Sequence, residues 1–294
     1  MTPSSRSPWH DAGELSDAER AEVLDLLART ASRRGREALD ESRQRIVRLA
    51  RPALHWWRRD AAGRLCDYAQ VAPGSPPVVE AVGGRVDAEL LAILLERHGV
   101  VDWWERTGRF PGGTTRRTLE LRASHDALPA LAPRWPPGTA LRTFDPAHDV
   151  AAWLAHNHAA FAAHPEQGSW RADELRERLA EPWFDPRGFL VLARGRQVVA
   201  SCWTKVHDGP RAPFGEIYVV AVDPTLRARG LGRALVVAGV ASLRARGLAT
   251  VTLFVDATND VARALYDDLG FAVVRRERLV RFDATRRPGG PPGT

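Results

Sequence analysis

The sequence predicts an α/β (α+β) fold of two tandem domains, each a mixed, mostly antiparallel sheet flanked by helices. Three observations predict it. Residues 140–283 alternate strand and helix patterns, with a parallel strand–helix–strand crossover around a glycine-bearing loop at 223–233. Residues 1–128 run through the same order of helix, helix, hairpin, strand and helix, which points to an internal duplication. Between the halves, LPALAPRWPPG (128–138) holds four prolines, which remove backbone donors and resist both helix and sheet. The expected organisation is an N-terminal domain over 1–128, a Pro-rich linker over 129–138, a C-terminal domain over 139–284 and a disordered tail over 285–294. That tail, ending RRPGGPPGT, has too little apolar content to pack.

In the first half, SDAERAEVLDLLARTASRR (16–34) and ALDESRQRIVRLA (38–50) carry helical apolar spacing. ALHWWRRD (53–60) and RLCDYAQVA (64–72) pair as a hairpin, and PVVEAV (77–82) is a strand before a helix. In the second half, ALRTFDP (140–146) is a strand, and DVAAWLAHNHAAF (149–161) and RADELRERLAE (171–181) are helices. GFLVLAR (188–194) and QVVASCWTKVH (197–207) turn at Gly195-Arg196, and FGEIYVVAV (214–222) is the strand that enters the glycine loop. A helix to about Arg246, the strand ATVTLFV (249–255), the helix NDVARALYDDLG (259–270) and one or two strands in FAVVRRERLVRFD (271–283) complete the order.

With 294 residues, 44% hydrophobic and 27% charged, the composition is that of a globular protein. No apolar run approaches the roughly 18 residues of a membrane span, and the N-terminus shows no secretory pattern. Cys66 and Cys202 cannot form a disulfide framework or a metal site by themselves, so a reduced cytoplasmic protein without metal is expected. The net charge of +6 is spread among acidic residues, without an arginine-rich arm, which argues against nucleic acid as a partner. Of 42 basic residues one is a lysine, Lys205, either by composition or because a compact ammonium is needed there. His156, His158 and His164 lack metal-ligand spacing and read as helix-surface residues. Trp56-Trp57 and Trp103-Trp104 read as core or edge aromatics, and Cys202 as a packed strand residue.

The loop Arg227-Ala-Arg-Gly230-Leu-Gly232-Arg233 is not a Walker A element, since no Gly-Lys-Ser/Thr follows. It is not a dinucleotide fingerprint either, because Leu235 stands where a third small residue belongs. Bare glycine backbone and the free N–H groups of a helix start suit a pyrophosphate, although a tight helix entry alone would also use such glycines.

R-x-x-G-x-G at 227–232 and N-x-x-A-x-x-L-Y-x-x-L-G-F at 259–271, in this order and distance, resemble the acetyl-coenzyme A core of the GNAT superfamily of N-acetyltransferases. The resemblance covers roughly 141–284. HPEQGSW (164–170), EPWFDPRGF (181–189), CWTKVH (202–207) and GEIYVVAVDP (215–224) are similar to the mycothiol synthase family, actinobacterial tandem GNAT enzymes that acetylate the cysteinyl amine of cysteinyl-glucosaminyl-inositol (Cys-GlcN-Ins).

The resemblance implies acetyl-CoA as acetyl donor. Arg227, Ala228, Arg229, Gly230, Leu231, Gly232 and Arg233 would cradle its pyrophosphate. Val220, Ala221 and Val222 would pair with its pantetheine arm, and Asn259, Asp260, Val261, Ala262, Arg263 and Ala264 would lie beside it. Glu216 takes the general-base position, on one strand face with Tyr218 and Val220 by alternation; a solvent-facing strand glutamate is the plain alternative. Tyr266 takes the position of the acid for the CoA thiolate, against the alternative of a half-buried aromatic. Backbone N–H groups near Val220 could hold the carbonyl oxygen if the strand bulges there.

Glu41, Glu166 and Lys205 are implied in substrate binding, together with Glu216 and Phe254; the last departs from the family's tyrosine and lacks its hydroxyl. The first half has no R-x-x-G-x-G between its strand and helix, only Gly83-Gly84, and is expected not to bind acetyl-CoA. A GNAT enzyme for another small amine or a protein N-terminus, and a non-catalytic acyl-CoA-binding module, are the alternative functions. A monomer acting on a small molecule, away from membranes, is the expected state.

Overall fold

The computed structural model describes residues 7–107, 113–124, 126, 133–162, 167–208, 212–227 and 230–285. Residues 127–132, most of the expected tail, and the expected site residues Glu166, Ala228 and Arg229 lie outside the described residues, as does His164. The first half contains β1 (His10–Ala12), α1 (Asp17–Arg34), α2 (Glu41–Arg48), β2 (Leu54–Arg59), β3 (Leu65–Ala72), β4 (Val78–Ala81), α3 (Ala88–His98), β5 (Val100–Glu105) and β6 (Gly113–Ser124). The second contains β7 (Ala140–Thr143), α4 (Val150–Ala160), α5 (Ala172–Leu179), β8 (Phe189–Arg194), β9 (Gln197–His207), β10 (Phe214–Val222), α6 (Leu231–Arg244), β11 (Thr250–Asp256), α7 (Asp260–Asp268) and β12 (Ala272–Asp283). The α/β class and the helix order match the sequence reading. Strands β5 and β6 were not legible there, and 272–283 forms one long strand.

Helix starts follow side-chain chemistry. Ser16 and Glu19 form a reciprocal capping box on α1, which ends at Gly35 with φ 67°. Asp87 accepts from the Glu89 and Leu90 amides at the start of α3, and Asn259 accepts from Ala262 at the start of α7.

All twelve strands form one sheet, in the order β1-β2-β3-β4-β5-β12-β6-β11-β10-β9-β8-β7. The order is not that of two sheets placed side by side. Strand β6, from the first half, pairs with β11 and β12, while β12, the last strand of the chain, pairs with β5. In each half one strand pair is parallel, β4–β5 and β10–β11, and a helix makes the crossover.

On one sheet face of the second half, α6 and α7 bury Leu231, Leu235, Val236, Leu243 and Tyr266 against Cys202, Ile217 and Val251. On the other, Trp153, Trp170, Phe189, Trp203 and Val219 pack beneath α4 and α5. Gly239 lets α6 lie close to the sheet: a Cβ there would stand 2.5 Å from Cys202 Sγ and 3.0 Å from Ile217 Cδ1. Trp56, Trp57 and Trp103 are core residues of the first half.

His156 corrects the sequence reading. It is 4% exposed, on the inward side of α4, and neither ring nitrogen makes a hydrogen bond among the described residues. The fault was one of helical phase, since His156 lies on the buried face with Trp153 and Asn157 while His158 is exposed. Burial pushes the imidazole pKa down to about 4, against a weaker upward pull from Asp223 and the Ala221 backbone.

Two outcomes are expected. Gly239→Val should cost about 1–3 kcal/mol through overpacking, read as a lower thermal midpoint with the fold retained. For His156, the folded pKa of about 4 lies below the ordinary 6.5. Its stability contribution is therefore complete above pH 6.5 and is lost as pH falls toward 4, by about 3 kcal/mol in total. Urea unfolding at pH 7 and pH 5 should show this slope in the native chain and a shallower one in His156→Leu; equal slopes would contradict it.

Candidate active site

Strand β10 parts from β11. Their parallel pairs run from Gly215↔Val251 to Ile217↔Leu253 and go no further, while β10 stays paired with β9 as far as Val222↔Ala200. The register against β9 shifts between Ile217 and Val219, so Tyr218 is the extra residue of a bulge. The bulge alters the expected facing. Glu216 and Tyr218 share a face, but Tyr218 and Val219 both pack with the Trp203 cluster, and Val220 packs with the α6 side. Strict alternation therefore fails for Val220, because one residue is unpaired. Along Val219–Val222 the edge toward β11 has no strand partner among the described residues, which leaves backbone groups open at the mouth of the splay.

Helix α6 starts at that mouth. Its N-cap, Gly230, has φ 75°, and no side chain among the described residues caps it, unlike α1, α3 and α7. The first-turn N–H groups and the positive end of the helix dipole are thus available to an anion. Leu231 is buried in the core, and Gly232 lies where a Cβ would only touch Leu265 Cδ1 at 3.5 Å. Arg227 donates to the Ala160 carbonyl at 2.7 Å, and Arg233 pairs with Asp268 at 2.7 Å. At the start of α7, Asn259, Asp260, Arg263 and Ala264 are exposed, Ala262 is half-buried and Val261 is 84% exposed. Arg263 pairs with Asp260 at 2.9 Å.

On the opposite side of the opening the halves meet over Lys205. Its Nζ lies 3.0 Å from Glu41 and 3.3 Å from Glu37, both from the first half, and 4.8 Å from the centre of the Trp183 ring. Burial alone would lower the ammonium pKa, but the carboxylates of Glu37, Glu41 and Glu216 outweigh it and raise it. Lys205 is therefore a fixed cation. Asp40 caps the short helix that begins with Glu41, and Glu41 also accepts from Arg45 at 2.5 Å. Arg45 and Arg48 both reach Glu181, at 3.0 and 2.6 Å, clamping α2 to the second half.

Glu216 stands directly across from Lys205 in the β9–β10 ladder and is 8% exposed, so it is not a solvent-facing strand residue. Its carboxylate receives His207 Nε2 at 2.5 Å. Tyr218 accepts from Arg178 Nε at 3.2 Å, and burial raises its pKa. On β11, Thr252 lies level with Glu216, and Phe254, two residues on along the same face, is 49% exposed.

Tyr266 is 6% exposed in the α6–α7 core, edge-on to Phe271 at 5.9 Å between ring centres. Burial chiefly, then Cys202, raises its pKa and keeps it a phenol. Tyr266 and Glu216 thus lie on opposite faces of the sheet where β10 and β11 diverge. Burial pushes the Cys202 thiol up to about 12, consistent with packing rather than nucleophilic use. Among the described residues no group of three His, Cys, Asp or Glu converges as metal ligands would, and no helix is long and apolar enough to cross a membrane.

The structure thus brings Glu41, Lys205 and Glu216 together. Sequence reasoning missed His207 and Glu37. Period-two spacing from Lys205 could have placed His207 on the same face; Glu37, in the α1–α2 connection, carries no local signal.

The chain resembles known proteins over nearly its whole length. The acetyltransferase (GNAT) family model matches residues 151–271, the region of the splay, the α6 start and α7. A GCN5-related N-acetyltransferase from Sphaerobacter thermophilus superposes with a TM-score of 0.63 over 96% of both chains, at 22% identity. A tandem GNAT protein from the clavulanic acid biosynthesis pathway gives 0.63 over 95% of this chain and 99% of its own, at 16% identity. These likenesses define the fold class, a tandem GNAT fold. The mycothiol acetyltransferase of Streptomyces griseus is 37% identical over 96% of this chain and 98% of its own, and that of Thermobispora bispora is 40% identical over 70% and 76%. The chain belongs to the mycothiol acetyltransferase family.

Proposed function

We propose that this protein transfers acetyl from acetyl-CoA to the cysteinyl amine of Cys-GlcN-Ins, giving mycothiol and CoA. The observation that carries the reading is the meeting of Lys205, Glu41 and Glu216 at the acceptor side of the β10–β11 opening, in a chain of this family.

The donor fits the residues present: the uncapped α6 start takes the pyrophosphate, with Gly230, Leu231, Gly232 and the Arg227 and Arg233 backbone around it. Ala228 and Arg229 belong to the same loop by sequence. Val220, Ala221 and Val222 offer their open strand edge to the pantetheine, with the start of α7 alongside. Acetyl-CoA supplies the acetyl group as a thioester.

Glu216 removes the proton from the cysteinyl ammonium, since only the free amine can attack. Tyr266, held as a phenol, holds the proton needed by the departing sulfur. The backbone at the Tyr218 bulge offers N–H groups where charge develops on the carbonyl oxygen. Lys205 and Glu41 present a fixed cation and anion to the hydroxyl-rich acceptor, and the family resemblance implies Glu166 in binding it as well. Phe254 gives that surface an exposed apolar ring without a hydroxyl.

The first half serves the acceptor side rather than a second cofactor. Its strand–helix turn is filled from within. Arg34 donates to the Gly83 carbonyl, a Cβ at Gly84 would strike the Arg106 side chain at 2.5 Å, and Asp87 already occupies the first amides of α3.

Glu216→Gln should keep acetyl-CoA affinity by calorimetry while turnover falls by about 100-fold or more. Unchanged turnover would remove Glu216 from the base role. The same titrations should give one acetyl-CoA per chain, and two would refute the assignment of the first half.

A further inference from the structure

The carboxylate of Glu216 makes one hydrogen bond among the described residues, and it is to an imidazole. His207 Nε2 lies 2.5 Å from Glu216 Oε2. Against an ionised carboxylate the ring nitrogen must be the donor, because a carboxylate only accepts. The imidazole has little freedom: it stacks on Phe214, with ring centres 4.7 Å apart and planes 7° from parallel. On the Nδ1 side it faces Glu37 Oε1 at 3.8 Å, and Glu37 is itself tied to Lys205. Glu37 reaches this position from the first half.

We infer that His207 is the positioning residue of the base, donating Nε2–H to Glu216 Oε2 so that Oε1 is left to take the ammonium proton. The inference rests on the reading of Glu216 as base. Three features support it beyond simple packing. The donor binds one carboxylate oxygen and leaves the other. The ring plane is fixed by Phe214. Glu37, carried by the first half, borders the ring on its Nδ1 side, away from Glu216, so the first half lines the pocket that holds the imidazole.

The charged groups around the imidazole are Glu216 from β10, Glu37 from the α1–α2 connection, Lys205 from its own strand through Glu37, and Arg122 from β6, 5.6 Å from the Phe214 ring centre.

The test uses the full-length protein and steady-state kinetics with acetyl-CoA and Cys-GlcN-Ins. His207→Leu removes the donor; His207→Gln keeps an N–H donor on a side chain of similar reach. The expected result is a fall in kcat of about 10- to 100-fold for His207→Leu, with KM for acetyl-CoA changed by less than about twofold. His207→Gln should recover most of kcat. Two results would overturn the inference: kcat of His207→Leu within about twofold of native, or His207→Gln as impaired as His207→Leu at an equal thermal midpoint. Glu216→Gln, run beside them, separates the two readings. Its retention of kcat would overturn the base and its positioning residue together. Its loss, with His207→Leu active, would overturn the positioning role alone.

Discussion

Strand β12 places Arg275, Arg278 and Arg281 directly opposite Glu120, Glu105 and Asp102 in the ladders with β6 and β5. The three carboxylates are almost fully buried, and the guanidinium groups reach them at 2.6, 2.8 and 2.8 Å. Slipping the strand by one residue would leave buried charges unpaired, which costs far more than a surface ion pair gains. This charge register holds the last strand of the second half inside the sheet of the first. It makes the twelve strands continuous, and it brings the α1–α2 connection and the start of α2 to Lys205 on β9.

That placement gives the acceptor side its charges. A lone buried ammonium would lose its proton or destabilise the fold; Lys205 does neither, because Glu37 and Glu41 arrive from across the seam. The donor side depends on different physics. There the sheet opens where Tyr218 adds a residue to β10, and the start of α6, which no side chain caps among the described residues, faces the gap. The bulge also turns Val220 to the face opposite Glu216, so the proposed base and the proposed cofactor edge come from one strand without competing for the same surface.

Much of the fold was legible because its signals are local. The R-x-x-G-x-G loop marks the start of α6, Asn259 marks that of α7, and period-two runs mark most strands. What was not legible depends on partners far away in sequence. Residues 113–124 gave no strand signal within the N-terminal half, since GTTRRTLELRAS alternates only weakly and acquires its place from β11 and β12. The bulge at Tyr218 is a register fact, set by pairing with β9 and invisible in β10 alone. His156 was misplaced because α4 is apolar around most of its circumference, so periodicity gives no phase. Of the site, Glu216, Lys205 and Glu41 were legible through family resemblance, whereas Glu37 and His207 emerge only when the halves are joined.

The central claim is that these two faces of one opening deliver acetyl to a cysteinyl amine. The most direct measurement incubates the purified protein with acetyl-CoA and either Cys-GlcN-Ins or the same pseudodisaccharide lacking cysteine, and follows the products by mass spectrometry. The account predicts one acetyl group on the cysteinyl nitrogen, a free acceptor thiol, and no product from the acceptor without cysteine. Equal acetylation of both acceptors, or none of either, would contradict it.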